Sequence, residues 1–511
     1  MPSTSGSYSF TVEVADEAAT QRLMADVACA IEPGDLITLS GDLGAGKTTF
    51  ARALIRHLAG NPTIEVPSPT FTLMQAYELP RFNLIHADLY RLSGPDELAE
   101  LGFEEFGDSA VTLLEWPDRA GGQLAADRFD IAFTLDPDKP RSFRHVRITG
   151  FGACAARAER IDTIRRFLIG NGFAAATRQR IQGDASTRSY ERLVRDGASY
   201  ILMNSPKRPD GPPVRDGKPY SQVAHLAESV TPFIAIARGL YERGFSAPKI
   251  FAADGADGLI VLEDLGNELV VDGEPPVPIE ARYAVATDVL AALHAVKLSD
   301  TLPVSPGVTY TIPRYDIDAM LIEVELLLDW YMPKLETKAS PGQRAEYGRL
   351  WRAALQPVLA VAPTWVLRDY HSPNLLWLPE RESIKRIGLL DFQDAVMGPP
   401  AYDVASLLQD ARVDVPEKME LTLLTRYLRA RHAADATFDA AQFAQLYATM
   451  AVQRASKILG IFARLEKRDH KPQYLRHLPR VWGYLQRSLA HPALAPLKSW
   501  YRTNVPALKS L

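Results

Sequence analysis

The sequence has very little cysteine, because only Cys29 and Cys154 occur among its 511 residues. Neither has a partner at the spacing of a metal site, so we expect no disulfide scaffold and no zinc site, and we interpret both as buried or partly buried thiols. The chain also lacks an apolar run of the ~18 residues that a membrane helix needs. Residues 1–10 are polar and uncharged, unlike a secretory signal. The expected location is therefore the cytoplasm.

An excess of positive charge is missing as well. The net charge is −5, which argues against a general role in coating nucleic acid. The hydrophobic content of 47% and the charged content of 23% are ordinary for a globular protein. At roughly 100–200 residues per domain, a chain of this length should form two to four folding units.

A change of pattern near residues 150–160 divides the chain. The β-rich runs 129–135 and 143–149 read as a hairpin that closes the first part. Residues 155–169 then have helical spacing, and we expect a second domain to begin there. We place the domains at residues 1–152 and 160–511.

The two parts differ in their predicted fold class. The first is predicted to be a three-layer α/β P-loop NTPase domain. The second opens with strands on either side of the turn Arg195-Asp-Gly-Ala198 and becomes mainly helical after about residue 278. That order predicts an α+β bilobal fold of the protein-kinase type.

A phosphate-binding motif is the strongest signal in the first part. Gly41-Asp-Leu-Gly-Ala-Gly-Lys47-Thr48 fits G-x-x-x-x-G-K-[ST], with a predicted strand before it and a helix after it. In such a loop, backbone N–H groups and the helix N-terminus bind phosphate oxygens. Lys47 would reach the β- and γ-phosphates, and the Thr48 hydroxyl would ligate Mg²⁺. The predicted ATP-binding residues are Gly41, Gly44, Gly46, Lys47, Thr48 and Thr49.

A P-loop enzyme also needs an acidic group at the end of a neighbouring strand to order Mg²⁺ and water. Glu115 ends the apolar run 111–114, and Asp88 ends the strand-like run 82–87. We predict both as catalytic residues and Glu115 as a Mg²⁺ ligand. Taken alone, either carboxylate could simply cap a strand. His86, taken alone, would more often be a partly buried histidine with its hydrogen bonds satisfied.

Five motifs of the first part occur in a fixed order: Gly41–Thr49, Val66-Pro-Ser-Pro-Thr-Phe-Thr-Leu73, His86-Ala-Asp-Leu-Tyr-Arg-Leu92, residues 97–105 and Leu114-Glu-Trp-Pro117. They resemble the TsaE family, the bacterial ATPase subunit that supports threonylcarbamoylation of tRNA adenosine, over residues 8–150. The resemblance implies a switch-like loop at Ser68-Pro-Thr70, Mg²⁺ on Thr48 and Glu115, and a role of Asp88 in hydrolysis. It also implies TsaB- and TsaD-like protein partners, with tRNA as the eventual substrate.

Two interpretations of the first part stay open. Its hydrolysis of ATP could reset a complex, or the domain could be a nucleotide-dependent interaction module with incidental hydrolysis. A Glu115→Gln variant should abolish function in the first case and leave partner binding largely intact in the second.

A loop with spaced polar residues is the strongest signal in the second part. Asp369 and Asn374 lie on Val366-Leu-Arg-Asp-Tyr-His-Ser-Pro-Asn374, and Asp391 ends the next apolar run. Phosphoryl transfer needs a carboxylate beside the attacking hydroxyl and oxygen ligands for Mg²⁺. Asp369 suits the first role, and Asn374 and Asp391 suit the second, so we predict a kinase that uses Mg²⁺ and ATP.

Two further segments are candidates for binding the kinase nucleotide. Residues 182–190 include Ser186 and Arg188 and could cover the phosphates, although a loop rich in serine and threonine is usually just a turn. Residues 261–266 would form the hinge, where the backbone at Glu263 would hydrogen-bond the adenine edge.

The second part contains a further ordered set of motifs: Gly183-Asp-Ala-Ser186 with Tyr190, Leu202-Met-Asn-Ser-Pro206, Glu263-Asp-Leu-Gly266, Arg368-Asp-Tyr-His-Ser-Pro-Asn-Leu375, Asp391-Phe-Gln-Asp-Ala395 and residues 398–408. They resemble the aminoglycoside-phosphotransferase-like superfamily over residues 165–495. Within it they look most like the N-acetylmuramate/N-acetylglucosamine anomeric kinases of cell-wall recycling (the AmgK type). The resemblance implies Asp369 as catalytic base, Asn374 and Asp391 as Mg²⁺ ligands, Asp403 as a brace of the loop, and a sugar 1-phosphate as product.

One departure from that superfamily concerns the catalytic loop. The superfamily often has histidine two residues before the catalytic aspartate, where this chain has Leu367. This puts the local bracing of the loop in doubt more than its chemistry. Relatives phosphorylate aminoglycosides, choline and homoserine, and these acceptors remain alternatives to an amino sugar.

A second departure concerns the phosphate-binding lysine of kinase folds. Met203 and Asn204 occupy roughly its place on the second hairpin strand. Either the subgroup manages without the lysine, or Lys207, Arg208 or Arg188 substitutes for it. The third alternative is a pseudokinase, against which the intact catalytic set argues.

Overall fold

A computed structural model describes residues 6–70, 72–92, 97, 109–121, 124–181, 188–207 and 211–506. The chain divides into two units, Met1–Asn204 and Ser205–Leu511, and each is described by itself. The predicted nucleotide-binding residue Ser186, the alternative Arg208 and most of the motif at 97–105 lie outside the described residues.

The first unit contains both strands and helices. Its strands are β1 (Ser7–Val14), β2 (Leu36–Ser40), β3 (Met74–Glu78), β4 (Asn83–Asp88), β5 (Ala110–Glu115), β6 (Arg128–Leu135), β7 (Arg144–Phe151), β8 (Thr177–Ile181), β9 (Ser189–Arg195) and β10 (Ala198–Asn204). Its helices are α1 (Glu17–Ala30), α2 (Lys47–Ala59) and α3 (Cys154–Gly170).

A mixed sheet organises the first part of this unit. In the described residues its seven strands have the order β1-β7-β6-β2-β5-β4-β3. Strand β2 runs parallel to β5 and β6, and β4 runs parallel to β5. Because parallel strands end at the same edge, the loop after β2 lies beside the ends of β4 and β5. Asp88 and Glu115 are register partners at that edge, so their two carboxylates lie side by side.

The helices lie on one face of this sheet. Residues of α1, α2 and α3 share a buried core with the sheet, represented by Leu23, Leu54 and Ile161. The opposite face carries a smaller core around Leu89 and Leu114. Within the described ranges that face bears a 3₁₀ turn, and the three-layer arrangement stays a prediction.

Strands β8, β9 and β10 form an antiparallel ladder at the end of the first unit. The turn between β9 and β10 has positive φ at Asp196 (52°) and Gly197 (78°), the geometry that Asp-Gly favours, and it confirms the predicted hairpin. Helix α3 packs against β1 and β7, so the helix at which we expected a second domain to begin lies within this unit. The boundary at residues 152–160 stays a prediction.

The second unit contains small ladders and mainly helices, as the composition after residue 278 predicts. Its strands are β11 (Pro213–Arg215), β12 (Lys218–Pro219), β13 (Ile250–Asp254), β14 (Leu259–Glu263), β15 (Val271–Asp272), β16 (Val277–Pro278), β17 (Thr301–Ser305), β18 (Val308–Thr311), β19 (Thr364–Val366), β20 (Leu375–Trp377), β21 (Ile387–Leu389) and β22 (Val396–Gly398). Its helices are α4 (Tyr220–Val223), α5 (Thr231–Glu242), α6 (Glu280–Ala295), α7 (Ile317–Leu326), α8 (Met332–Lys334), α9 (Pro341–Leu359), α10 (Ala401–Leu408), α11 (Glu417–Ala434), α12 (Ala440–Asp469), α13 (Leu478–Ser488) and α14 (Ala495–Asn504).

Two short ladders hold the loop at residues 367–374. Strand β19 pairs with β22, and β20 pairs antiparallel with β21. Leu375 is the register partner of Leu389, and the Leu390 N–H donates a 3.0 Å hydrogen bond to the carbonyl of Asn374. Asn374 and Asp391 therefore lie at the same end of the β20–β21 ladder.

Helix α12 lies at the centre of the helical part, in contact with α7, α10 and α13. A Cβ at Gly460 would lie 2.4 Å from the backbone carbon of Leu326, so α12 and α7 touch at a position where only glycine fits. This approach brings Lys457 of α12 to Glu323 of α7. Throughout the described part of the chain, no helix combines the length and the apolar character needed to cross a membrane.

Candidate active sites

The loop after β2 has the backbone of a phosphate-binding loop. Gly41 has φ 132°, and a Cβ there would lie 2.4 Å from the carbonyl oxygen of Phe133, so no larger residue fits. Gly44 and Gly46 also have positive φ, at 79° and 113°. Helix α2 begins directly afterwards at Lys47, so its first backbone N–H groups point towards the loop.

Lys47 and Thr48 begin α2 with different contacts. The Lys47 Nζ donates hydrogen bonds of 2.7 Å to the Gly41 carbonyl and 3.0 Å to the Asp42 carbonyl. It also lies 3.6 Å from the ring centroid of Trp116. Burial lowers the pKa of Lys47, while the Glu115 carboxylate opposes that shift. Trp116 was not predicted as a site residue, although it directly follows Glu115 in the sequence.

Thr48, Glu115 and His86 meet at the edge of the sheet. The Thr48 hydroxyl donates a 2.8 Å hydrogen bond to Glu115 Oε2, and His86 Nε2 lies 2.9 Å from Glu115 Oε1. The two partners of this contact are buried, with 0% of His86 and 1% of Glu115 accessible. His86 is therefore more than a buried histidine, because it orients the predicted Mg²⁺ ligand. Its spacing of two residues from Asp88 on one strand was the signal for this role.

Asp88 binds the segment predicted to act as a switch. Its Oδ2 accepts a 2.9 Å hydrogen bond from the Thr70 hydroxyl and a longer one, 3.4 Å, from Ser68. Its Oδ1 accepts from the backbone N–H of Tyr90 at 2.9 Å. A carboxylate held in this way can transmit a change at the loop of residues 68–70 to the sheet edge.

This edge suits magnesium chemistry. Thr48 and Glu115 supply hard oxygen atoms in direct contact, and Mg²⁺ favours one or two carboxylates together with phosphate oxygens and water. Among the described residues there is no cluster of three or more His, Cys, Asp or Glu side chains that could hold a metal alone. The hydroxyl of Thr48 and the carboxylate of Glu115 fit an ion whose other ligands are phosphate oxygens and water.

In the second unit, the loop before Asp369 is braced by a buried carboxylate. Asp403, at 0% exposure, accepts backbone N–H hydrogen bonds from Leu367 (2.6 Å) and Arg368 (2.9 Å). Burial raises the pKa of Asp403 to about 7 against the effect of these two donors. Asp403 fixes the backbone at Leu367, so the loop is braced although the chain has no histidine at that position. The Asp369 side chain remains 40% exposed.

Arg368 anchors the same loop on its other side. It has a left-handed backbone with φ 66°, and its buried guanidinium bonds to Glu323 and donates a 2.7 Å hydrogen bond to the Ala224 carbonyl. Lys457 Nζ lies 2.8 Å from the same Glu323 carboxylate. Burial alone would raise the pKa of Glu323, but Lys457 and Arg368 outweigh it and hold the pKa at about 2.

The predicted metal ligands of the kinase lie at one end of the β20–β21 ladder. The Asn374 Nδ2 donates a 2.9 Å hydrogen bond to the Asp369 carbonyl, which turns its amide oxygen away from that carbonyl. Asp391 has φ 56°, and its Oδ1 accepts a 2.9 Å hydrogen bond from Gln393. Phe392 stacks on Phe233 of α5 with ring centroids 4.9 Å apart, which fixes the backbone beside Asp391. An amide oxygen and a carboxylate again fit Mg²⁺ shared with phosphates.

Asp410 is a second brace of the loop, and the sequence pattern does not predict it. It is completely buried and accepts 2.8 Å hydrogen bonds from the backbone N–H groups of Ser372 and Arg412. His371 Nε2 lies 3.9 Å from Asp369 Oδ1, and burial lowers the pKa of His371. The loop is thus held by Asp403 before Asp369 and by Asp410 after it.

The other predicted nucleotide residues have specific places. Met203 is 1% exposed within β10, and the Asn204 Oδ1 accepts hydrogen bonds of 3.1 and 2.6 Å from Arg160. Arg188 lines a cavity of about 300 Å³ in the first unit, together with Arg160 and residues of α1 and α3. In the second unit, the Glu263 carboxylate contacts Arg381 Nη2 at 2.5 Å. The Glu263 side chain is thus paired with Arg381, and the backbone hydrogen bond from Glu263 to the adenine edge stays a prediction.

Comparison with known families assigns both parts. The model of threonylcarbamoyl adenosine biosynthesis protein TsaE matches residues 14–143. The model of the phosphotransferase enzyme family matches residues 177–443. The second match begins within the first unit, at strand β8.

Individual relatives agree with these matches. An N-acetylmuramate/N-acetylglucosamine kinase of Caulobacter vibrioides is 40% identical over 362 residues, which cover 68% of this chain and 98% of that protein. A kinase of the same name from Pseudomonas aeruginosa is 32% identical, covering 61% and 84%. A tRNA threonylcarbamoyladenosine biosynthesis protein TsaE of Rickettsia prowazekii is 48% identical over 88 residues, covering 17% of this chain. The chain spans 60% of the length of that TsaE protein.

Proposed function

The chain belongs to the phosphotransferase enzyme family and carries a TsaE-family domain in front of it, and from this premise we propose a bifunctional enzyme. The phosphotransferase part uses ATP to phosphorylate the anomeric hydroxyl of N-acetylmuramate and N-acetylglucosamine. The TsaE-family part hydrolyses ATP in support of tRNA threonylcarbamoyladenosine formation. Both activities draw on ATP and are proposed to take place in the cytoplasm.

The phosphotransfer proposal is carried by the braced loop around Asp369. An exposed carboxylate on a loop fixed by Asp403 and Asp410 can hold an acceptor hydroxyl in one orientation. Asp369 accepts the hydroxyl proton as the sugar oxygen attacks the γ-phosphorus. The bond from that phosphorus to the bridging oxygen breaks, and the products are ADP and a sugar 1-phosphate. Asn374 and Asp391 would hold Mg²⁺, which neutralises charge on the phosphates when it is bound.

The acceptor is tested by measuring ADP release with N-acetylmuramate, N-acetylglucosamine, glucose, choline and an aminoglycoside. We expect only the N-acetylated amino sugars to stimulate ATP turnover, and phosphorus NMR to identify the product as a 1-phosphate. Asp369→Asn should lose at least about 10³-fold of that stimulation. Asp414→Asn, whose side chain is 77% exposed, is the matched control and should keep it. Stimulation by none of the sugars, or loss of stimulation in both variants, contradicts the proposal.

The ATPase proposal is carried by the contact between Thr48 and Glu115. Lys47 and the loop glycines bind the phosphates, and Thr48 and Glu115 would hold Mg²⁺. Asp88, bonded to the loop at 68–70, is proposed to couple hydrolysis to a change in that loop. The partners proposed for this state are the TsaB- and TsaD-like proteins of the modification complex, with tRNA bound through them.

Hydrolysis without any sugar tests the ATPase, and complementation tests its purpose. We expect Glu115→Gln to abolish sugar-independent hydrolysis, while Asp118→Asn, an exposed carboxylate three residues away, leaves it intact. In cells that lack their own TsaE protein, the wild-type chain should restore modified tRNA adenosine. If Glu115→Gln restores it equally well, the domain acts as a nucleotide-dependent interaction module instead.

A further inference from the structure

Helix α1 of the TsaE-family domain is held by three segments of the first unit. Its C-terminal carbonyl groups have no partner within the helix, and guanidinium groups bond to them. Arg81 donates to the carbonyls of Ala28 (3.2 Å) and Ile31 (2.7 Å). Arg157 of α3 donates to Ala30 (3.2 Å), and Arg180 of β8 donates to Cys29 (3.1 Å). The last of these arginines lies within the phosphotransferase match.

A buried ion cluster adds a second link between α1 and that match. Asp26 of α1 bonds to Arg165 of α3 and to Arg178 of β8. Arg178 also forms a fork with Glu191 of β9, through Nε at 2.7 Å and Nη2 at 2.9 Å. Asp26, Arg178 and Glu191 are only 5%, 5% and 3% exposed. Two guanidinium groups and two carboxylates balance in charge, so each member is needed to neutralise the others.

The cluster fixes the geometry of the two strands it joins. The register of β8 and β9 places Arg180 opposite Glu191, so the fork from Arg178 to Glu191 runs diagonally across the ladder. A planar fork allows little freedom of orientation, unlike a point charge. Arg188, a predicted nucleotide residue, directly precedes β9 and lines the same cavity as Arg178 and Glu191. The position of Arg188 therefore depends on the ladder of β8 and β9, which the ion cluster links to α1.

The buried ion cluster is also close to α2, the helix that follows the P-loop. Helix α1 packs against α2, which begins at the phosphate-binding loop. His57, near the end of α2, lies within electrostatic reach of Glu191 and Arg178, and burial lowers its pKa. Helix α1 thus lies next to the P-loop helix, while its residue Asp26 belongs to the cluster that reaches the strands at the start of the phosphotransferase match.

We propose that Asp26, a residue of the TsaE-family domain, is a positioning residue for the phosphotransferase. Through Arg178 and Glu191 it holds strands β8 and β9 in the geometry that the kinase nucleotide requires. The proposal rests on the proposed sugar-kinase function. It adds a role in phosphotransfer for a residue of the TsaE match, which covers residues 14–143.

The test separates positioning from stability. KM for ATP and kcat are measured for sugar phosphorylation in Asp26→Asn, in Arg178→Lys, which keeps the charge but loses the fork, and in Asp162→Asn. Asp162 is the matched control, because it pairs with Arg166 of α3 and Tyr8 of β1 in the same unit, and neither partner lies on β8 or β9. Circular dichroism melts show which variants are folded at the assay temperature.

We expect Asp26→Asn and Arg178→Lys to raise KM for ATP at least about fivefold, with kcat and sugar-independent hydrolysis within about twofold. Asp162→Asn should change KM by less than about twofold. If folded Asp26→Asn or Arg178→Lys has a wild-type KM, or if Asp162→Asn raises it equally, the proposal is overturned. If Asp26→Asn does not fold, Arg178→Lys decides alone.

A second measurement keeps the two proposals distinguishable. If the wild-type chain phosphorylates no sugar, the proposed function fails, and binding of a fluorescent ATP analogue is measured in a Lys47→Ala background that lacks the P-loop site. There, Asp26→Asn must weaken the remaining binding at least about fivefold. An unchanged affinity, or no remaining binding, overturns the positioning role.

Discussion

The buried carboxylate of Asp403 accepts a 2.6 Å hydrogen bond from the backbone N–H of Leu367. Leu367 occupies the position where related kinases often have a histidine. Here the side chain of Asp403, on α10, supports the loop by accepting a hydrogen bond from the backbone of Leu367. The same carboxylate has a pKa raised to about 7, mainly by burial. Support of the loop is therefore linked to pH.

The pH dependence of stability should reveal this group. Between about pH 4 and pH 7 the unfolded chain has released a proton that native Asp403 still holds, so its contribution to stability falls as the pH rises through that window. Asp403→Asn cannot titrate, and its melting temperature should fall less than that of the wild type over the same window. Over this window the free energy of unfolding should fall by at most about 4 kcal/mol more in the wild type than in Asp403→Asn. Parallel melting curves would mean that the carboxyl titrates at its ordinary value.

Glu323 is expected to be critical for the fold of the second unit. Glu323→Gln leaves Arg368 and Lys457 as buried cations without their carboxylate, which typically costs about 3–5 kcal/mol. Because the pKa of Glu323 is held at about 2, its stabilising effect is present at neutral pH and is lost only as the pH falls from about 4.5 towards 2. Thermal melts at neutral pH measure the loss. The control Asp318→Asn, 62% exposed, should cost less than about 1 kcal/mol.

His86 should affect one activity and not the other. His86→Ala removes the 2.9 Å partner of Glu115, and loss of such an orienting contact typically reduces metal-dependent activity about 10–100-fold. Sugar-independent ATP hydrolysis should fall by that factor while phosphotransfer is retained. His145→Ala, which removes a partly exposed pair with Asp136, serves as the comparison and should leave hydrolysis unchanged. An equal effect of the two variants would refute the role of His86.

The glycines of the phosphate-binding loop should differ in their tolerance of alanine. Gly41→Ala forces a Cβ to within 2.4 Å of the Phe133 carbonyl, so the loop must move and nucleotide binding at this site should be lost. At Gly44, a Cβ would meet no atom within 4 Å, and the cost is the left-handed backbone alone, about 1 kcal/mol. Titration with a fluorescent ATP analogue in an Asp391→Ala background measures the two variants. Similar affinities would contradict the steric argument.

The sequence predicts those parts of the two sites that are local in the chain. The P-loop, the strand ends at Asp88 and Glu115, and the Asp-Gly hairpin depend on neighbouring residues, and the structure has each of them. The braces of the catalytic loop could not be predicted in the same way. Asp410 bonds to a backbone N–H 38 residues away, and Glu323 bonds to a guanidinium 45 residues away. No periodicity marks which buried carboxylate will find such a distant partner.

The position of α3 shows a second limit. Its helical spacing predicts an apolar face, and Ile161 and Ile164 are buried as that spacing requires. The spacing carries no information about which sheet covers the face, and the domain boundary at residues 152–160 stays a prediction. The sheet that α3 covers is the one before it in the chain, because Ala158 and Ile161 join the core of that sheet.

Asp26 and Arg178 lie 152 residues apart and neutralise each other in a buried cluster. A cut of the gene between residues 165 and 178 would leave Asp26 with Arg165 on one fragment and Arg178 with Glu191 on the other, so each fragment would keep only half of the cluster. Asp26 lies in the TsaE match and Arg178 in the phosphotransferase match, so under the proposed function a substitution at Asp26 would be selected through tRNA modification and sugar phosphorylation together.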